Sequence, residues 1–276
     1  MKRFLAIMMA MVLVLGSAFL FAACDDKNKG GEEEKREVLV CGVTNFDPMN
    51  FKDSEGNWTG FDTEFAQLVG EKLDMDVEFQ EIEWSAKYME LEAGSIDCIW
   101  NGFTANVSDD DDQPRSSKVD FSYGYMLNQQ CVVVRSEELE NYKTSEDLAG
   151  KKAVAEKGSA GESAARELIG EDANILGVAA QINTFTEVKT GASDFAVIDI
   201  LLAQNLVGKG DYSDLAIADE ITLESEIYAI GFKIGSPLTE KVNEAILALE
   251  SEGKLLEIAE KYNLENTLKV STDPIA

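Results

Sequence analysis

The sequence contains no histidine among its 276 residues. Histidine is the most common general base in proteins and a frequent metal ligand, so its absence excludes every Ser-His or Cys-His nucleophile arrangement. Prolines are also few, with four in the chain, whereas apolar residues make up 45% of it. This composition is typical of a folded protein, and the length is sufficient for two domains of ordinary size.

Basic residues are scarce relative to acidic ones. The chain has 24 Lys and Arg against 52 Asp and Glu, and its net charge is −28. Nucleic-acid binding needs clustered Lys and Arg, so this charge argues against a nucleic-acid partner. It also argues against an anionic membrane surface as partner, apart from attachment by a covalent anchor. The acidic excess is typical of a well-solvated surface.

The N-terminal segment has the pattern of a targeting sequence. Two basic residues precede an uncharged apolar run over residues 4–23, which ends in small residues before Cys24. This ending resembles a bacterial lipobox, so we predict a lipoprotein signal peptide at 1–23 and lipidation of Cys24. An uncleaved membrane anchor is the alternative, because the run is nearly long enough to span a bilayer. Residues 24–37 are charged and poor in apolar side chains, which predicts a flexible tether.

Three further cysteines remain after Cys24, namely Cys41, Cys98 and Cys131. An odd number without short paired spacing predicts neither a disulfide framework nor a zinc site. One bridge between Cys41 and Cys98 is an open alternative, since their strands are candidates to be neighbours. We favour three small buried apolar side chains, and we predict no metal and no cofactor. The acidic run 109–112 lacks the ligand alternation of a calcium loop, so we interpret it as solvated.

A sequence unit occurs twice, about a hundred residues apart. Residues 90–97 (ELEAGSID) parallel residues 187–194 (EVKTGASD), and each copy is followed by an apolar run that ends on a polar residue, Asn101 or Asp199. A helix, a glycine, an aspartate and a buried strand therefore recur in that order. Two such units predict two α/β lobes of one design, with chance similarity as the alternative.

Strands and helices alternate on both sides of these units. Residues 38–43 and 77–82 have the pattern of strands, and apolar residues at helical spacing lie between them. A second series begins near residue 130, and a strand is predicted at 227–232. This alternation predicts parallel sheets covered by helices. Because ligands bind beyond the carboxyl ends of parallel strands, Gly102 and Thr104 are candidate site residues.

Several motifs together resemble a known family. The segments GFDTEFA, GSIDCIWNGFT, VDFSYGY and AEKGSAGE, in this order, resemble the family-3 extracellular solute-binding proteins, which serve bacterial ABC importers of amino acids. The resemblance covers about residues 38–264. It implies a type II periplasmic-binding-protein fold, in which two helix-covered, mostly parallel sheets are joined by two crossover strands. The expected boundaries are 38–127 plus 227–276 for lobe 1 and 130–223 for lobe 2.

The resemblance also implies a binding site for the α-carboxylate of an amino acid. Arg115 matches the arginine that holds this group, and Thr104 matches a residue that adds its backbone N–H and hydroxyl. Ser159, at a predicted helix start in lobe 2, would meet the carboxylate from the other side. Arg115 has an alternative position in a loop that is several residues longer than the family pattern, where it would pair with aspartates 109–112 on the surface.

The remaining roles concern the α-ammonium and the side chain of the ligand. The resemblance implies that Asp199 pairs with the ammonium and that the carbonyl of Gly102 accepts from it. Phe46 and Trp84 match aromatic positions that enclose the ligand side chain. The alternatives are a helix N-cap for Asp199 and core positions for both aromatics. A family aspartate after the first strand is missing here, and Asn45 is its neutral substitute.

Taken together, these features predict a lipid-anchored extracytoplasmic receptor and not an enzyme. It would capture a free, polar amino acid by lobe closure and deliver it to the membrane permease of an ABC importer, as a monomer that binds no nucleic acid. One alternative is an enzyme on the same fold, of dehydratase or lyase type, with Glu90 and Glu187 as available acids. The other alternative is a ligand-sensing domain of a signalling protein.

Overall fold

The structure is a computed structural model that describes residues 37–109, 111–170 and 174–275. The predicted signal peptide and the proposed lipidation site Cys24 lie outside the described residues, and so does the predicted tether except for its last residue. No helix in the described ranges is both long and apolar enough to cross a membrane.

Five strands form the first sheet, and its centre is parallel. Cys41 and Gly42 are fully buried between two parallel neighbours, which suits the continuous apolar character of this strand. In spatial order the strands are β4 (Met75–Glu81), β1 (Glu37–Val43), β5 (Cys98–Ile99), β13 (Gly231–Phe232) and β6 (Asp120–Phe121). The helices of this part of the chain are α1 (Phe61–Leu73), α2 (Lys87–Ala93), α6 (Leu238–Ser251) and α7 (Lys254–Lys261).

The second sheet repeats this design with different strands. In spatial order it contains β11 (Leu215–Ile217), β7 (Gly124–Arg135), β10 (Phe195–Asp199), β8 (Ala153–Glu156) and β9 (Ile175–Val178). Its helices are α3 (Ala160–Ile169), α4 (Gln181–Lys189) and α5 (Ile200–Leu206). Strand β8 runs parallel to both β10 and β9, so the carboxyl ends of these strands share one edge.

Two strands carry the chain between the sheets. The second half of β7 pairs with β10, whereas its first half pairs with β12 (Ser225–Tyr228) and β14 (Leu268–Ser271). The expected two-lobed α/β fold with two crossover strands is thus confirmed. The predicted single strand at 227–232 is wrong, because β12 pairs with β7 while β13 pairs with β5 and β6, and the chain changes partners between them. Strands β2 (Phe51–Lys52) and β3 (Trp58–Thr59) form a separate hairpin.

The repeated sequence unit is also a repeated structural unit. Gly94 and Gly191 both have a φ of 74°, at the points where α2 and α4 end. Asp97 then exchanges two 2.8 Å hydrogen bonds with the backbone of Val40, one through its own N–H and one through its carboxylate. Asp194 makes the same two bonds to Lys152, also at 2.8 Å. In each lobe the aspartate therefore joins the incoming strand to its neighbour.

The three cysteines within the described ranges are free and buried. Cys41 and Cys98 are directly opposite each other in β1 and β5, with their sulfur atoms 3.7 Å apart. The neighbouring strands were expected, and the pair is not bridged. Each thiol fills space in the core as a small apolar group.

Candidate functional site

A narrow cavity of about 10 Å³, with room for about one water molecule, lies where the carboxyl ends of the strands of both lobes meet. This is the position at which open α/β sheets bind ligands. Its lining includes six of the seven residues predicted to bind a ligand: Trp84, Gly102, Thr104, Arg115, Ser159 and Asp199. The structure therefore brings residues from both lobes to one enclosed space.

Asp199 ends β10 and directly precedes α5, yet its side chain does not cap that helix. Its Oδ1 atom instead accepts hydrogen bonds from Asn128, from Gln130 at 3.0 Å and from the hydroxyl of Tyr228 at 2.7 Å. Its Oδ2 atom accepts from Gln181. Burial raises the pKa of Asp199, and these donors act in the opposite direction by favouring the ionised form. The carboxylate is thus held rigidly at the cavity.

Glu226 is a second carboxylate behind the cavity that sequence analysis missed. It accepts hydrogen bonds from Asn128 at 2.6 Å, from Gln130 at 3.0 Å and from the hydroxyl of Thr104 at 3.1 Å. Burial and the nearby charge of Asp199 raise the pKa of Glu226 to about 7. Two carboxylates therefore share two amide donors, and Glu226 connects Thr104 to the network around Asp199.

Arg115 lines the cavity and is 1% exposed. Its Nη1 atom donates to the carbonyl of Thr104 at 2.9 Å, and its guanidinium lies 5.1 Å from the ring centre of Phe103. Its Nε atom donates to Asp109 at 2.8 Å. Arg115 therefore reaches the cavity. It also pairs with an aspartate of the longer loop, but this pair is largely buried and does not lie on the surface as the alternative had it.

The acidic loop supports this arginine through Asp109. Asp109 also accepts from Tyr88 at 2.6 Å and from Lys118 at 2.9 Å. Burial acts to raise its pKa, but the charge of Arg115 and these hydrogen bonds outweigh burial and hold the pKa at about 2. The expectation of a fully solvated acidic run is wrong for Asp109, whose side chain is 12% exposed. Asp110 lies outside the described residues.

Gly102 is constrained on both sides. Its φ is 55°, and a Cβ atom at this position would lie 2.6 Å from the ring of Phe46. Its N–H donates to the buried carboxylate of Asp62 at 2.7 Å, which also accepts from the hydroxyl of Tyr125 at 2.9 Å. Burial raises the pKa of Asp62 to about 7. Asp62 looks like an ordinary acidic residue in the first turn of a helix, and only tertiary packing shows that it fixes Gly102.

The two predicted aromatic residues have different positions. Trp84 lines the cavity and packs edge-on against Phe103, with ring centres 5.4 Å apart. Phe46 is outside the cavity lining, because it is buried behind Gly102 and packs edge-on against Tyr228 at 6.5 Å. For Phe46 the structure shows the core position that sequence analysis kept as the alternative. Of the two predicted aromatic residues, only Trp84 therefore lies at the cavity.

Ser159 and Gly158 lie where α3 begins. The hydroxyl of Ser159 accepts from the N–H of Glu162 at 3.1 Å, so Ser159 caps the helix and also lines the cavity. The carbonyl of Gly158 accepts from Lys87 at 2.9 Å and from Arg115 at 3.5 Å. These two bonds connect the first lobe to the helix start in the second lobe.

Four lining residues were not predicted: Asn101, Glu156, Ala160 and Gln181. Glu156 is the last residue of β8, and Asn101 lies just beyond β5. The rule that selected Asp199, a polar residue at the end of a parallel strand, would also have selected Glu156. Asn45 is exposed, and Glu90 and Glu187 do not line the cavity.

The fold and the site together define a class of protein. Two α/β lobes are joined by crossover strands, and a buried arginine from one lobe and a buried carboxylate from the other line the cavity between them. This is the architecture of a hinged ligand-binding protein.

Comparison with known proteins identifies the family. Residues 38–265 match the bacterial extracellular solute-binding proteins, family 3, and the chain belongs to this family. It is 25% identical to the arginine-binding extracellular protein ArtP of Bacillus subtilis (strain 168) over 95% of this chain and 98% of that protein. It is 27% identical to the L-cystine-binding protein TcyJ of Escherichia coli (strain K12) over 92% of each.

A solved structure is similar over most of the chain. It is an ABC uptake transporter substrate-binding protein from Streptococcus pneumoniae with bound histidine. The TM-score is 0.73 at 31% identity, and the match covers 84% of this chain and 94% of that one. The relatives named here are amino-acid-binding proteins.

Proposed function

We propose that the protein is a substrate-binding lipoprotein that captures a free amino acid and delivers it to an ABC importer. The observation that carries this proposal is the position of Arg115 and Asp199, which come from different lobes and line one cavity. A free amino acid carries one negative and one positive group about one carbon apart, so it needs one partner of each sign. The named relatives, which bind arginine, cystine or histidine, support the same function.

The energetics favour a zwitterion whose charges are both paired. Burial of an unpaired charge costs several kcal/mol, so each head group needs its own partner. The planar guanidinium of Arg115 suits a carboxylate, while Oδ2 of Asp199, which accepts one hydrogen bond from the described residues, suits an ammonium group. Charged hydrogen bonds contribute about 1.5–3 kcal/mol each, so about four of them together with aromatic burial can reach the roughly −8 kcal/mol of micromolar binding after the ordering costs.

Lobe closure would let the importer distinguish the loaded protein from the empty one. We propose that residues 38–127 plus 227–276 move against residues 130–223, with the crossover segments between them as the hinge. A ligand that contacts both lobes stabilises the closed state, because the open state offers it only half of these contacts. Small-angle X-ray scattering should show a smaller radius of gyration with ligand than without it.

Binding can be tested directly with a panel of free amino acids. At a concentration of about a hundred times the dissociation constant, a ligand adds about 2.7 kcal/mol of stability, so at least one amino acid should raise the melting temperature by several degrees. Calorimetry then gives the stoichiometry, for which one ligand per chain is expected. Each ligand should be recovered unchanged after incubation, since a new product would support the enzyme alternative. No response to any member of the panel would contradict the proposal.

The membrane attachment is a separate part of the proposal. We propose that Cys24 is lipidated after removal of residues 1–23, which places the protein outside the cytoplasm on the cell membrane, next to its permease. Expression in a bacterium with labelled fatty acid should give a labelled protein that partitions into detergent. The Cys24→Ala variant should be unlabelled. A wild-type protein without label would contradict the lipid anchor and leave the binding function untouched.

A further inference from the structure

Glu156 is an acidic residue at the cavity that has no role in binding the head group of the proposed amino acid. It ends β8 and lines the cavity together with Asp199 and Arg115. The residue is 3% exposed, and its Oε1 atom is buried without a hydrogen-bond partner among the described residues. A buried carboxyl oxygen without a hydrogen-bond partner is unfavourable, so its position at a cavity wall points to a partner supplied by a ligand.

The cationic side chains nearby are already engaged. Lys87 donates to the carbonyl of Gly158 at 2.9 Å, and its ammonium lies 4.6 Å from the ring centre of Tyr88. Arg115 pairs with Asp109 at 2.8 Å. Neither of these cations forms an ion pair with Glu156 in the described part of the chain. The carboxylate therefore has cationic neighbours without a direct partner.

The cavity has one acidic group more than a neutral zwitterion needs. Its carboxylate would match Arg115 and its ammonium would match Asp199, which leaves Glu156 facing the same space. We propose that Glu156 forms a third subsite, which binds the positively charged side-chain end of the ligand, so that the ligand is a cationic amino acid. This inference rests on the proposed function and narrows its substrate class.

The surroundings of Glu156 fit such a ligand. Trp84 lines the same cavity and offers an apolar ring, against which the methylene stem of a lysine-like or arginine-like side chain would pack. The charged groups that act on Glu156 are Asp199 and Glu83, which raise its pKa, and Lys87 and Arg115, which lower it. Burial is the largest influence, and the pKa of Glu156 is about 8. A cationic ligand would favour the ionised form, so binding at pH 7 should release a proton from this carboxyl.

The test compares pairs of ligands that differ in side-chain charge and little in shape. L-arginine is matched by L-citrulline, and L-lysine by L-norleucine. Titration calorimetry measures each dissociation constant for wild type, for Glu156→Gln and for Glu83→Gln. Glu83 is the matched control, because it is an acid that acts on Glu156 but is exposed and does not line the cavity.

We expect wild type to bind at least one cationic amino acid about tenfold or more tightly than its neutral partner, as a charged hydrogen bond implies. In Glu156→Gln the dissociation constants of the cationic ligand and its neutral partner should differ by no more than about threefold. In Glu83→Gln they should differ as much as in wild type. Glu156→Gln should also fold with an unchanged or higher melting temperature, since a neutral amide of similar shape replaces a buried acid. Repeating the titrations in buffers of different ionisation enthalpy should show proton release for wild type and less release for the variant.

The contrary results separate the two proposals. Equal or tighter binding of citrulline and norleucine by wild type would overturn the cationic subsite and leave amino-acid binding intact. A ratio unchanged in Glu156→Gln would also overturn it. If no member of the wider panel binds to wild type, the proposed function itself fails, and the subsite with it.

Discussion

The two repeated units have the same backbone pattern and different chemistry at their ends. In both units a glycine ends the helix with the same φ, and an aspartate ties the next strand to its neighbour by two hydrogen bonds of 2.8 Å. The first unit then leads to Asn101, whose amide exchanges neutral hydrogen bonds with Thr44 at 2.6 and 3.0 Å. The second leads to Asp199, a carboxylate held by four side-chain donors.

This difference shows how one scaffold can offer both signs of charge. Lobe 2 places its charge at the strand end itself, through Asp199. Lobe 1 has a neutral amide at the corresponding place, and its charge comes from Arg115, which the loop after the strand returns to the cavity. A local repeat therefore builds both walls, while single residues and one loop decide their charge.

The largest effect is expected from removing the charge in the second lobe. Asp199→Asn should weaken amino-acid binding by about a hundredfold or more, because the buried ammonium of the ligand would lose its partner at a cost of about 3 kcal/mol. Titration calorimetry measures this change. The matched control is Asp194→Asn, which makes the same substitution earlier in the same unit, away from the cavity, and should keep the affinity within about threefold. If both variants weakened binding equally, the carboxylate at the strand end would have no special role in holding the ligand.

The corresponding change in the first lobe is expected to be smaller. Arg115→Lys keeps the charge and loses the planar fork, so affinity should fall about tenfold to thirtyfold. Lys118→Gln is the control, since Lys118 also pairs with Asp109 but is not part of the cavity lining. Its affinity should stay within about threefold of wild type. An affinity unchanged in Arg115→Lys would show that charge alone, without the fork, holds the carboxylate.

The equivalence of the two scaffolds can be measured through stability. Asp97→Asn and Asp194→Asn should each lower the free energy of unfolding by about 1–3 kcal/mol, because each removes a charged acceptor from a backbone N–H. Urea denaturation without ligand is the measurement. If only one variant lost unfolding free energy, the two units would have the same backbone geometry but would not contribute equally to stability.

The smallest expected effect concerns Asp62, which fixes Gly102 in the first lobe. Its pKa is raised by burial to about 7, above the unfolded value, so the native state binds the extra proton. This contribution to stability is complete below about pH 4 and is lost as pH rises through about 7. Wild type should therefore lose a few degrees of melting temperature between pH 5 and pH 8 through this group.

Asp62→Asn should have a flatter melting profile over the same pH range. Glu55→Gln, a change at an exposed residue in the turn between β2 and β3, should keep the wild-type slope. Identical slopes in wild type and Asp62→Asn would mean that Asp62 stays ionised in the native protein throughout this range.

Sequence reasoning reached most of the cavity and missed the groups behind it. Asp199 and Thr104 could be placed because each lies at or just after a strand end, whereas Arg115 was placed by the family resemblance. Glu226 and Asp62 carry no such signal, since one lies in a crossover strand and the other in the first turn of a helix. Their burial comes from elements that are distant in the chain, and local periodicity contains no information on those contacts.

The sequence by itself determined the alternation of strands and helices, the duplicated unit and the absence of histidine chemistry. These properties are local, because they depend on spacing, turn residues and composition. Only the tertiary structure decided that Phe46 supports Gly102 from behind, that Asp109 holds Arg115, and that Glu156 faces the cavity with an oxygen that lacks a partner. The physical reason is that the burial of a side chain and its hydrogen-bond partners depend on which distant segments of the chain pack together.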